Sequence, residues 1–168
     1  MKTLILGLGN TILRDDGIGI YAVRALAARV DGAADCRESE SAGLDLVELL
    51  RGYERAVIVD AIQLEGEDPG TVFRLKPDDL RITARLASLH DIDLVTALAL
   101  GRRLGFEMPE DVTVYAVQVC DALTLGEECT EAVAGALPGL VDEIAAEISG
   151  GALARVSRPL RERKRRDA

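Results

Sequence analysis

The first twenty residues, MKTLILGLGNTILRDDGIGI, constrain the fold more than any other stretch of this chain. An apolar run, Thr3-Leu4-Ile5-Leu6, meets Gly7-Leu8-Gly9-Asn10 and then two adjacent carboxylates, Asp15-Asp16, followed by Gly17. A short aliphatic run bounded by glycine reads as a buried strand of a parallel sheet. The glycines let the backbone turn sharply where that strand ends. Beyond Asp16, the positions Ile18, Tyr21-Ala22 and Ala25-Leu26 recur with helical period, and Ile20, Val23, Ala27 and Val30 extend the helix. The carboxylates therefore sit where strand gives way to helix, with Asp15 or Asp16 placed to cap it. In an open α/β sheet ligands bind along that edge.

The remaining elements repeat the alternation. A polar strand is expected over Asp35–Ser41, then a helix opened by Gly43. Arg55 to Ile62 is the clearest strand, continuous and β-branched, with Asp60 at its end. Thr71–Leu75 reads as a short edge strand, antiparallel to its neighbours, and Leu80 to Leu89 is ambiguous. His90 precedes a helix from Ile92 to Leu104, and Val112–Val119 is a further strand. A loop from Cys120 to Glu128 leads to a last helix from Thr130-Glu131 to Ile148, where Pro138 predicts a kink or break. The pattern predicts a three-layer α/β sandwich: a twisted, mostly parallel five-stranded sheet with helices on both faces. Residues 1–150 form one domain of 168-residue chain length, and 151–168 a basic, disordered tail.

Composition narrows the function. The net charge of −9 divides unevenly, because residues 151–168 hold seven Lys/Arg against two acids, leaving −14 on residues 1–150. An acidic body argues against nucleic acid as a ligand. No apolar run is long enough for a membrane helix and no leader pattern opens the chain, so a cytoplasmic location is expected. Cys36, Cys120 and Cys129 follow no disulfide or zinc spacing.

Three residues stand out for chemistry: Asp16 after the first strand, Asp60 ending the third, and His90 before a helix. Strands one and three, separated by a strand-helix unit, commonly lie side by side, which brings their carboxyl ends together. Two carboxylates and one imidazole suit a borderline divalent metal such as nickel or zinc. The same carboxylates suit general acid-base work around a water. Each residue also has a plain structural reading, as helix cap, loop hydrogen-bonder or structural histidine, and spacing alone leaves these open. The glycine loop fits dinucleotide binding poorly. Ile12 occupies the third glycine's place in G-x-G-x-x-G, and two acids would repel a pyrophosphate.

The pattern GLGNTILRDDGIG at Gly7–Gly19, VDAI at Val59–Ile62, PGT at Pro69–Thr71 and SLHDIDL at Ser88–Leu94 resembles the hydrogenase maturation proteases in order, spacing and length, over Met1 to Ile148. The resemblance implies an endopeptidase, often classed as aspartic-type, that trims the C-terminal extension of a nickel–iron hydrogenase large-subunit precursor after nickel insertion. It implies Asp16, Asp60 and His90 as metal ligands and catalytic residues, with nickel supplied by the substrate and zinc or cadmium able to replace it in vitro. Glu38, in the stretch Glu38-Ser39-Glu40-Ser41-Ala42-Gly43, stands where many members carry a further acid, although Glu40 replaces a common glycine. The expected partner is the precursor, with neither nucleic acid nor membrane, and a monomer is adequate for one site.

Two other readings use the same residues. A non-catalytic chaperone for the nickel-loaded subunit would employ the same three ligands. Peptidyl-tRNA hydrolase shares the opening Gly-Leu-Gly-Asn, but here Thr11 follows Asn10 and Asp91 follows His90, and an acidic body repels tRNA.

Overall fold

The computed structural model describes residues 1–30, 32–40, 43–79, 92–151 and 155–159. His90 and the ambiguous stretch from Leu80 to Leu89 lie outside them. The chain builds one sheet from β1 (Thr3–Leu8), β2 (Asp35–Ser39), β3 (Arg55–Ile62), β4 (Val72–Leu75) and β5 (Asp111–Gln118). The order across it is β2-β1-β3-β5-β4. All neighbours pair in parallel except β4, which closes one edge antiparallel to β5. This is the expected three-layer α/β sandwich.

Burial explains the composition of each strand. Every residue of β1 is buried, and so is all of β3 after Arg55, because both strands have neighbours on each side and helices on each face. On the other flank, β2 is polar because it is an edge strand exposed along most of its length.

The helices α1 (Ile18–Val30), α2 (Asp45–Leu50), α3 (Ile92–Arg103) and α4 (Glu131–Ser149) divide between the faces. Ile18, Ala22, Val23 and Leu26 of α1 and Val133, Leu140 and Ile144 of α4 pack with Ile5, Val57 and Val59. Across the sheet, Leu46 and Leu50 of α2 and Leu94 and Leu98 of α3 pack with Leu4, Leu6 and Ile58. The two cores follow the period-two alternation of the strands.

Glycine lets α1 lie unusually close to the sheet. A Cβ on Gly7 would overlap the Gly19 carbonyl, and one on Gly19 would overlap the carbonyls of Leu8 and Val59. The start of α1 is thus pinned across the carboxyl ends of β1 and β3.

Of the kink or break expected at Pro138, the break does not occur: helix α4 is continuous from Glu131 to Ser149. The ring sits on the outer, exposed face, and the carbonyl deprived of a partner belongs to Ala134, itself exposed, so water can satisfy it. The basic extension is not solvated throughout. Arg158 bridges the outer edge of β4, donating its N–H to Val72 O and accepting from Arg74 N, both at 2.9 Å. The buried Glu143 carboxylate of α4 accepts the N–H groups of Val156 and Ser157 at 2.8 and 2.9 Å. Residues 160–168 lie outside the described residues. Among the described residues, no helix is long and apolar enough to cross a membrane.

Candidate active site

The strand order reverses at β1: the chain leaves it for β2 on one side and returns through α2 to β3 on the other. A doubly wound sheet opens a crevice at such a point, beyond the carboxyl ends of the diverging strands. Asp16 and Asp60 both belong to this edge.

Asp16 lies in a 3-10 turn, Arg14–Gly17, between β1 and α1. Gly9, at φ 135, folds the chain back so closely that a Cβ there would overlap the Asp16 carbonyl. The Asn10 N–H donates to Asp16 Oδ2 at 2.7 Å, tying the side chain to the loop that follows β1. Arg14, just before the acids, holds a φ of 45°, a left-handed conformation unusual for a side-chain-bearing residue. The turn packs against β3.

Asp60 is not the last residue of its strand, as the sequence suggests. It pairs with Ala116, and β3 continues to Ile62 against Gln118. Oδ1 accepts its neighbour's N–H, from Ala61, at 2.8 Å. By strand alternation Asp60 shares a face with Ile58 and Ile62, the side covered by α2 and α3. Asp16 is 2% exposed and Asp60 5%, so both carboxylates are largely removed from water.

Helix α3 runs from this edge toward the other end of the sheet. Its last turn lies near the start of β5: the Arg102 guanidinium donates to Pro109 O at 3.2 Å, and Phe106 N bonds Gly101 O. Since Asp111 opens β5 level with Arg55 at the start of β3, the first residues of α3 face the carboxyl edge, on the face of Asp60. His90 precedes Ile92 by two residues. Among the described residues, no three His, Cys, Asp or Glu side chains gather as a metal site.

Asp15 does different work from its neighbour. Wholly buried, it does not cap α1. Its Oδ1 accepts Thr130 N at 2.6 Å, and its Oδ2 accepts Cys120 N at 3.2, Asp121 N at 3.0 and Thr130 Oγ1 at 3.0 Å. The loop between β5 and α4 is thereby bound to the turn carrying Asp16. Backbone bonds extend the seam, from Gly126 N to Ile12 O, Arg14 N to Gly126 O and Asp15 N to Asp121 O. Within that loop, bonds from Thr124 hold the Asp121 carboxyl below its usual range, with Leu123 N–H and Arg14 adding to the effect. Ile12, Leu123 and Leu125 stand exposed on the joined loops.

Gln118 secures the chain leaving β3. Its Oε1 accepts Leu64 N at 2.9 Å and its Nε2 donates to Leu64 O at 3.0 Å. The only sequence signal for these bonds is one amide side chain at the end of an apolar strand. Glu38 points elsewhere: both its oxygens take bonds at 2.9 Å from Arg24 of α1.

The glycine loop does not form a phosphate cradle. Its N–H groups are taken internally: Gly9 donates to Ser39 O, Asn10 to Asp16, Ile12 to the Asn10 side chain and Leu13 to Asn10 O. A phosphate would find few donors there. Nor is Cys129 a thiolate nucleophile, since burial and the nearby Asp15 charge raise its pKa to about 11 despite Arg14.

A family model described as hydrogenase maturation protease matches residues 23–147. The chain belongs to the hydrogenase maturation protease family. It is 28% identical over 162 residues to the hydrogenase expression/formation protein HupD of Rhizobium leguminosarum bv. viciae, covering 94% of this chain and 79% of that one. The hydrogenase 2 maturation protease of Escherichia coli K12 is 29% identical over 120 residues, 70% of this chain and 73% of the other. Among solved structures, the hydrogenase maturating endopeptidase HybD from E. coli superposes with a TM-score of 0.73 at 25% identity, spanning 89% of this chain and 94% of that one. As a hydrogenase maturation protease, the protein is a hydrolase of the endopeptidase type.

Proposed function

We propose that this protease removes the C-terminal extension from a nickel–iron hydrogenase large-subunit precursor that already carries nickel. The observation that carries the reading is the pair of buried carboxylates, Asp16 and Asp60, at the crevice where the sheet reverses its strand order. Two carboxylate oxygens from these residues and an imidazole from His90 form a donor set suited to nickel held by the substrate. The resemblance adds His90 to the set, and in the sequence it precedes the first residue of α3 by two positions.

Nickel arriving in the precursor supplies Lewis acidity beside the scissile amide. The chain's own residues do the rest. Asp16 is held by the Asn10 N–H, and the Asp60 backbone is fixed by its pairing with Ala116 of β5. A carboxylate at this position accepts a proton from the attacking water, which adds to the amide carbon. The proton then passes to the departing nitrogen, leaving a new carboxyl terminus and a free amine. A reading in which recognition tests for metal explains why neither a serine nor a cysteine nucleophile is needed.

The exposed Ile12, Leu123 and Leu125 beside Asp16 suit contact with a protein surface better than with a small molecule. The reading takes residues 1–150 as the peptidase domain and 151–168 as its basic extension, acting as a monomer in the cytoplasm. Glu38 serves it as at most an accessory acid, through its ion pair with α1.

Alanine at Asp16, Asp60 or His90 tests the reading, with cleavage of the precursor followed on a gel. Loss of one donor is expected to slow processing by about a hundredfold or more while the fold is kept. Wild-type cleavage by any of the three folded variants contradicts the assigned set. A variant that still binds precursor, beside a wild type that binds but never cleaves, points instead to a chaperone.

A further inference from the structure

We propose that Asp15 is the positioning residue of this site, setting where Asp16 stands without touching the substrate. The proposal rests on the peptidase reading above. A carboxylate with no solvent exposure must find its stabilisation inside the protein, and Asp15 finds it on the loop between β5 and α4 and at the start of α4. Its donors are the N–H and thiol of Cys120, the N–H of Asp121 and the N–H and hydroxyl of Thr130, all on the loop from β5 or at the start of α4. Charge-assisted bonds of this kind are about twice as strong as neutral ones.

The consequence falls on the next residue. Asp15 and Asp16 share a turn only four residues long, Arg14–Gly17, preceded by a strained Arg14. Fixing the Asp15 carboxylate therefore fixes the backbone from which the Asp16 side chain projects. The reciprocal bond from Asp15 N to Asp121 O and the bond from Arg14 N to Gly126 O prevent the turn from rotating. Asp16 is then placed by the body of the protein, before substrate arrives. Such preorganisation raises the rate of the chemical step, because a misplacement of about 1 Å costs on the order of a hundredfold.

Asp15→Asn is nearly isosteric but cannot accept along both edges, so one of its amide protons opposes a backbone donor. Hydrogen exchange followed by NMR reads the effect at the Asn10 amide, which donates to Asp16 Oδ2. In D15N, Asn10 exchange is expected to accelerate by about tenfold, while the Leu6 amide in the centre of β1 is unchanged. In precursor processing kcat is expected to fall by about tenfold or more, with KM within about twofold.

Unchanged Asn10 protection overturns the proposal, as does an equal loss at Asn10 and Leu6, which marks a merely structural role. If D15N does not fold, Thr130→Val and Thr130→Ser decide. Valine removes the hydroxyl donor and is expected to speed Asn10 exchange, serine restores it, and no difference between them overturns the proposal. A wild type that fails to process precursor defeats the peptidase reading, whereas the exchange measurement still decides whether Asp15 positions Asp16.

Discussion

Asp15 and Asp16 are identical side chains in adjacent positions, and they separate by their partners: Asp15 accepts from the loop between β5 and α4, Asp16 from the loop after β1. The sequence marks both as ligand-type residues at a strand-helix junction but cannot tell them apart. Their difference lies in a loop more than a hundred residues away, which no local pattern reports. Asp60 was readable from the apolar run around it, although its pairing beyond the acid was not. Glu38 was nominated by position, but its bonds to Arg24 turn it to a helix face. Gly19 gives a test of this local geometry. A Cβ there overlaps the Leu8 and Val59 carbonyls, which are backbone and cannot give way, so α1 must lift from the sheet. Gly19→Ala is expected to cost about 1–3 kcal/mol in urea unfolding, and to lower processing through the displaced Asp16 turn.

Elements were easier to read than their edges. Central strands buried on both faces leave an unbroken aliphatic run, which is why β1, β3 and β5 stood out. Edge strand β2 is exposed and its polar sequence carries little pattern. Pro138 suggested a kink or break in α4, and the helix goes on without a break because the proline sits on its exposed face. The docking of residues 155–159 was equally hidden, since it depends on a buried glutamate of α4. Glu143→Ala frees Val156 and Ser157 from their acceptor, so trypsin is expected to cut after Arg155 about tenfold faster, as mass spectrometry of timed digests would show.

The same helix joins the sheet through Glu147. Burial alone would raise its carboxyl, but bonds from Tyr115 and Arg74 and the charges of Arg74 and Arg55 outweigh it and hold the pKa below 4.5. Because the folded value is lowered, this stabilisation is complete above the unfolded value of 4.5 and is lost as pH falls through the folded one. Glu147→Gln should therefore flatten the acid limb of stability below pH 4.5, measured as the urea midpoint against pH. An unchanged slope would place the acid-sensitive group elsewhere.

Taken together, the molecule is an acidic α/β sandwich whose strand order opens one crevice, with Asp16, Asp60 and the start of α3 all at that edge. Strand order is a global property, and the alternation of strands and helices gave only part of it: β1 and β3 lie side by side, as their separation by one strand-helix unit suggests. What the alternation could not supply was the docking of the loop between β5 and α4 on the turn that carries Asp16, because its place is set by the hydrogen bonds of Asp15.

The decisive measurement is to mix the purified protein with its hydrogenase large-subunit precursor, nickel-loaded or nickel-free, and weigh the products by mass spectrometry. If the crevice tests for the substrate's metal, a short C-terminal peptide is released from the loaded precursor alone. Equal cleavage of both precursors, or of neither when nickel is bound, would contradict that mechanism.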